Sequence, residues 1–191
     1  MDMWDRKFAP WMVEESYKYY LASCHLSEVN GLGYISNVNA ALAIEILFKS
    51  YLCKQEEHKN GSIITSYNSA SLDVQFKDNE YKDTRFESVG EDRSKNRAPT
   101  VHHDLYALAK SLPIDIQSIL FEEFDFYILK RRRHTFTNSR YLYELKNQSD
   151  HSNILSELVD SYINKTIRLY QKHKCDDVWI SNFKVKKQYV F

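Results

Sequence analysis

The chain has 191 residues with 26 basic and 26 acidic side chains, so it carries no net formal charge. Charge balance excludes binding nucleic acid or membrane through a global field and leaves only local patches for the task. Fourteen Tyr and ten Phe against four Gly and three Pro suit long helices with few tight turns, not a barrel, a sandwich or a disordered chain.

The N-terminus, MDMWDRKFAPWMVEE, lacks a basic region followed by an apolar run, so no secretory signal is read there, and no stretch reaches the apolar length of a membrane span. Cys24, Cys53 and Cys175 are odd in number and widely spaced, which fits reduced thiols and not a disulfide or zinc framework. A cytoplasmic protein with no metal and no cofactor is expected.

Pro10 opens a first amphipathic helix that runs to about Ser27, with Val13, Tyr17, Tyr20, Leu21 and Cys24 at helical spacing. Gly31 and Gly33 break the pattern. A second helix is expected from about Ile35 to Gln55. Its centre, NAALAIEILFKSYL from Asn39 to Leu52, is apolar on nearly every side, as in the buried central helix of a helical domain. Glu45 and Lys49 are four residues apart within it and stack on one face. Charges taken into a core must be paired, so two readings stand: a structural pair, with Glu45 turned toward Lys49, His103 or Arg140, or the polar floor of a ligand pocket.

Residues 59–101 change in texture, and helical periodicity is lost. The run LDVQF-KDNE-YKDTRF alternates like a β-hairpin around Asp78-Asn79, so an inserted hairpin is expected, followed by a solvated loop. A short third helix spans His103 to Leu112 and is closed by Pro113. A fourth is expected from Ile114 to Lys130, ending in the basic run Lys130-Arg131-Arg132-Arg133-His134. That run complements the dipole of a helix C-terminus, or with Phe136 it holds an RNA backbone and stacks a base. A fifth helix runs from about Ser152 to Lys172. The tail, residues 174–191, is aromatic and β-leaning.

Three segments act together. Asn39-x5-Glu45-x3-Lys49 lies on the second helix, His103-Asp104-Leu105 opens the third, and Phe136-x3-Arg140-Tyr141-x-Tyr143-Glu144 follows the fourth. In order and spacing this resembles the HEPN superfamily, in particular its prokaryotic members with HDL and RYxYE segments. The resemblance implies a single all-α domain over residues 1–191: an up-and-down bundle of about five helices, with 59–101 as the insertion, forming a homodimer. It also implies RNA or nucleotide binding, metal-independent endoribonuclease action, and a role with an antitoxin or defence-system partner in a bacterial toxin–antitoxin or antiphage system. Nuclease members carry Arg-x4-6-His across a dimer cleft. Arginine grips the scissile phosphate, and histidine moves protons.

Here that spacing occurs as Arg97-x4-His102, with His103 one step on, and again as Arg168-x4-His173. Ala98 and Leu169 stand where nuclease members often carry a polar residue. The candidate catalytic set is Arg97, His102 and His103. The candidate binding set is Glu45, Lys49, Arg131, Arg132, Arg133, Arg140 and Glu144. Asp104 either orients His103 or caps the third helix. The alternative function is a non-catalytic scaffold or partner-binding module of the same fold, in which these polar groups are architecture.

Overall fold

A computed structural model describes residues 9–57, 63–66, 103–136 and 153–186. These are mostly helical. In chain order they form α1 (Pro10–Ser27), α2 (Gly33–Ser50), β1 (Lys54–Glu57), β2 (Ile63–Ser66), α3 (Leu105–Ser111), α4 (Ile114–Leu120), α5 (Glu123–Arg131), α6 (Ile154–Lys172) and α7 (Val178–Asn182).

The long helices α1, α2 and α6 make the frame. Proline at the start of α1 loses no hydrogen bond there and presets the helical φ. Gly31 turns the chain between α1 and α2 at φ +82°, a conformation that costs a side-chain-bearing residue energy. The two helices then run antiparallel: Ser16 Oγ donates to the Ala43 carbonyl at 2.7 Å, and Ser36 Oγ donates to the Ser23 carbonyl at 2.8 Å. α6 lies against both and runs parallel to α2, since Ser156 meets Ser23 near one end and Tyr51 donates to Thr166 near the other. Ala40, Ala41, Ala43, Ile44, Leu47 and Phe48 are all fully buried, which puts α2 at the centre of the core.

The short helices close the far side. α3 packs on α2 and α5, and α4 packs on α6. A ladder of ring contacts ties them in, from Tyr162 and Phe48 through Phe121 and Phe126 to Tyr106, with centroids between 4.8 and 6.5 Å. Lys165 is buried on α6, and its ammonium donates to the carbonyl of Leu120, the last residue of α4, at 2.8 Å. The charge thereby satisfies a carbonyl that α4 itself leaves open.

Four expectations change in detail. The second helix stops at Ser50 instead of Gln55, and Lys54–Glu57 pairs antiparallel with Ile63–Ser66, Lys54 opposite Ser66 and Glu57 opposite Ile63. Past Leu52 and Cys53 the sequence turns polar, so a further helical turn would add nothing to the core, whereas strand pairing satisfies the backbone. The third helix begins at Leu105, not His103, because Asp104 is its N-cap. The fourth helix is two, α4 and α5, broken at Phe121-Glu122. The Phe121 ring enters the aromatic ladder, and the Asp125 carboxylate accepts the Glu122 N–H at 3.1 Å to restart the helix. The tail is not extended throughout: Asp177 caps α7 through the Ile180 N–H at 3.0 Å, and Trp179 and Phe183 dock on Tyr17. Gln171 holds the tail on α6 by donating to the carbonyls of Ile180 and Phe183. The hairpin expected around Asp78-Asn79 lies outside the described residues. Among the described residues no helix is long and apolar enough to cross a membrane.

Burial holds several acidic protons on. It pushes the Cys53 thiol from 9.0 up to about 11, raises the Tyr170 phenol from 10.0 to about 12, and keeps Tyr51 and Tyr162 well above the ordinary tyrosine value. At alkaline pH the folded chain therefore retains protons that the unfolded chain has released. Stability from these groups is complete below about pH 9 and is lost as pH rises through about 9 to 12. Urea midpoints should fall across that window, and tyrosinate absorbance should rise together with loss of helical circular dichroism. A tyrosinate titration complete before any helix is lost would contradict this account.

Candidate functional site

Glu45 occupies the middle of α2, the most buried helix, and is itself only 4 % exposed. A carboxylate there needs charged or hydrogen-bonding partners, since an unpaired buried ion costs several kcal/mol. It has two. Lys49, one turn on, donates to Oε1 at 2.6 Å. His103 Nδ1 approaches Oε1 at 3.0 Å and Oε2 at 3.1 Å. An ionised carboxylate only accepts, so Nδ1 carries the proton, and in the neutral ring Nε2 presents its lone pair. Nε2 has no hydrogen-bond partner among the described residues. The His103 side chain is 35 % exposed, against 14 % for Lys49. The Phe136 ring lies beside the imidazole, with centroids 5.2 Å apart.

The next residue anchors this arrangement. Asp104 is buried at the N-cap of α3, where its Oδ1 accepts the Ala107 N–H at 3.0 Å. Its Oδ2 accepts from Arg133 through Nε at 2.8 Å and a terminal nitrogen at 2.5 Å. The Arg133 carbonyl in turn accepts the Leu105 N–H at 3.1 Å. Arg133 also lies over the Tyr106 ring, as do Lys110 and Lys130, at 5.6 to 5.8 Å from its centroid. The start of α3 is thus fastened twice, to α2 through His103 and to the end of α5 through Asp104 and Arg133. These bonds fix the imidazole in place.

Chemically, a carboxylate behind one ring nitrogen and an outward second nitrogen make a proton-transfer group. The neutral ring takes a proton at Nε2, and Glu45 stabilises the imidazolium that results. Among the described residues no group of three or more His, Cys, Asp or Glu side chains is placed to hold a metal ion.

The expected site residues divide as follows. Glu45, Lys49 and His103 come together. Arg133 joins their neighbourhood but is turned onto Asp104. Arg131 points outward, with one guanidinium nitrogen 3.2 Å from the Tyr127 hydroxyl, so the basic run is not one continuous surface. Arg132 ends α5, where its N–H donates to the Ile128 carbonyl. Arg168, the arginine of the second Arg-x4-His spacing, lies on α6. Arg97, His102, Arg140 and Glu144 lie outside the described residues. Of the two readings of Asp104, its carboxylate has the geometry of the cap. Its bond to Arg133 has no local signal, because the partners are 29 residues apart. The Phe136–His103 contact has no local signal either, since the sequence sets Phe136 only beside the basic run and in the segment with Arg140.

No protein-family model, no curated protein and no solved structure matches the chain.

The double role of Asp104 is testable. Asp104→Ala uncaps α3 and leaves the Arg133 guanidinium without its carboxylate, at a cost of about 3–5 kcal/mol, while Asp104→Asn keeps a capping oxygen and should cost clearly less. Urea denaturation of both variants measures the difference. Equal losses would mean that the capping oxygen contributes nothing beyond the charge.

Proposed function

We propose that this chain is a HEPN-like RNA-binding protein and a metal-independent endoribonuclease, in which His103 moves the proton and Glu45 orients it. The observation that carries the reading is the dyad itself: a buried, lysine-braced carboxylate on Nδ1 of a histidine that is one-third exposed. In this reaction His103 Nε2 takes the proton of an RNA 2′-hydroxyl as its oxygen attacks the adjacent phosphorus. The P–O5′ bond breaks, and a proton donor protonates the leaving 5′-oxygen. The products are a 2′,3′-cyclic phosphate and a 5′-hydroxyl. His102 is the candidate donor. Arg97 and Arg140 are the candidate grips on the phosphate, where a guanidinium stabilises the developing charge.

Arg131, Arg132, Lys49 and Glu144 complete the expected RNA contacts, while Arg133 is held on Asp104. The resemblance to HEPN proteins supports a role in a bacterial toxin–antitoxin or antiphage system, and a homodimer. Neither step needs a metal or a cofactor.

A second reading has its own observation. Glu45 is satisfied by Lys49 and His103, and Asp104 is satisfied by Arg133 and the Ala107 N–H. A polar seam that closes on itself needs no ligand, so the chain would be a scaffold or partner-binding module.

Cleavage of a mixed RNA pool in excess EDTA separates the two. Wild type should cleave, His103→Ala should lose about 10²–10⁴ in rate, and Glu45→Gln should lose rate while still shifting RNA on a gel. Circular dichroism of each variant checks that the fold is intact. Wild-type protein that neither cleaves nor shifts RNA would leave the scaffold. Cleavage undiminished in His103→Ala would remove this histidine from the mechanism.

A further inference from the structure

α5 turns one face inward and another to solvent. Asp125, Ile128 and Leu129 are buried, while Glu123, Phe124, Tyr127, Lys130 and Arg131 are exposed. Phe124 is 62 % exposed and Tyr127 53 %, yet their rings stack on each other, with centroids 5.5 Å apart and planes 27° apart. Two adjacent aromatic rings left to water form an apolar patch of the kind that marks an interaction site. Beside them lies a shallow, open depression of about 450 Å³ lined, among the described residues, by Glu123, Phe124 and Tyr127. A carboxylate flanked by two ring faces suits a guanidinium, which pairs with the first and stacks on the second.

The order along the exposed strip is acid, ring, ring, base, base, and Tyr127 is its midpoint. Glu123 stands four residues before Tyr127 and Arg131 four after; Phe124 stands three before and Lys130 three after. A strip of this pattern is complementary to itself turned end for end. Arg131 then comes level with Glu123, Lys130 level with Phe124, and Tyr127 opposite its own copy.

We propose that α5 is a self-association surface. Two copies of this chain pair antiparallel about a two-fold axis at Tyr127, and Arg131 of the partner subunit enters the depression of Glu123, Phe124 and Tyr127. Such an isologous contact closes as a dimer. RNA fits the depression less well, because Glu123 lines it and repels phosphate. The pairing gives a surface to the homodimer of the proposed function and takes Arg131 from its RNA contacts, and it holds whether or not the chain cleaves RNA. From Glu123 to Arg131 the strip is only about 12 Å long. It therefore covers much less than the roughly 800 Å² per partner of a standard interface, so the dimer is weak, concentration-dependent and loosened by salt.

Sedimentation velocity of the full chain over a wide concentration range, with circular dichroism as a folding control, tests the proposal. Wild type should dimerise. Glu123→Arg and Arg131→Glu each place like charges opposite one another and should weaken the dimer about tenfold or more. An equimolar mixture of the two variants should dimerise again, because every opposed pair then carries opposite charges. Tyr127→Cys gives a second readout: on oxidation the two introduced cysteines, being on the axis, should form an intermolecular disulfide identified by peptide mapping. The proposal is overturned by a wild type monomeric at every concentration, by single variants that dimerise like wild type, or by a mixture of folded variants that stays monomeric. Failure of the mapped disulfide to form would overturn it as well.

Discussion

A single carboxylate in the central helix organises the described part of this molecule. Glu45 is buried among alanines and aliphatic side chains on α2, where charged or hydrogen-bonding donors must offset its desolvation. Lys49 supplies one donor from the same helix and His103 the other from the residues that open α3. The second bond is long-range, so the need to satisfy Glu45 also sets where α3 begins relative to α2. Hydrophobic packing alone is non-directional and would hold the two helices together without fixing that register.

The same logic recurs at the other helix ends. Asp104 caps α3 and binds Arg133 at the end of α5, so two short helices share one ion pair. Lys165 closes the last carbonyl of α4. Helices of seven to nine residues are too short to be stable alone. Here their ends are tied by charge-assisted bonds, and their rings join the ladder from Tyr162 to Tyr106. Polar groups supply direction, and apolar groups supply most of the stabilisation.

The proposed function and the architecture rest on the same bonds. The contacts that position α3 also hold the His103 imidazole with Nδ1 on a carboxylate and Nε2 outward, the orientation a proton-transfer histidine requires. The exposed face of α5 is the converse case. Its stacked rings, Glu123 and Arg131 face solvent, while Lys130 also lies over the Tyr106 ring. The helix thus ends in Arg131, which serves the surface, and Arg133 two residues beyond serves the interior.

Periodicity and punctuation made much of the helical frame legible in the sequence. Pro10 and the turn glycines bounded α1, the all-round apolar character of α2 marked it as central, and the third helix and α6 were evident from their spacing. Glu45 and Lys49 could be read as a stacked pair because i and i+4 adjacency is a local property of a helix. Whether Glu45 pairs with Lys49 alone or turns to His103 or Arg140 is open in the sequence, and the structure shows Lys49 and His103 both on it. Other features depended on groups distant in sequence. The break at Phe121-Glu122 follows from a ring drawn into contacts with Phe48 and Tyr162, although the Glu122 and Asp125 spacing was a local hint. The inward turn of Arg133 follows from Asp104, 29 residues away, and one basic run was thereby divided between core and surface. The sequence by itself determined helical class, core helix and the presence of a buried charge, because these depend on residue type and short-range spacing. Only the tertiary structure decided which charge meets which, because those partners are chosen by how the helices pack.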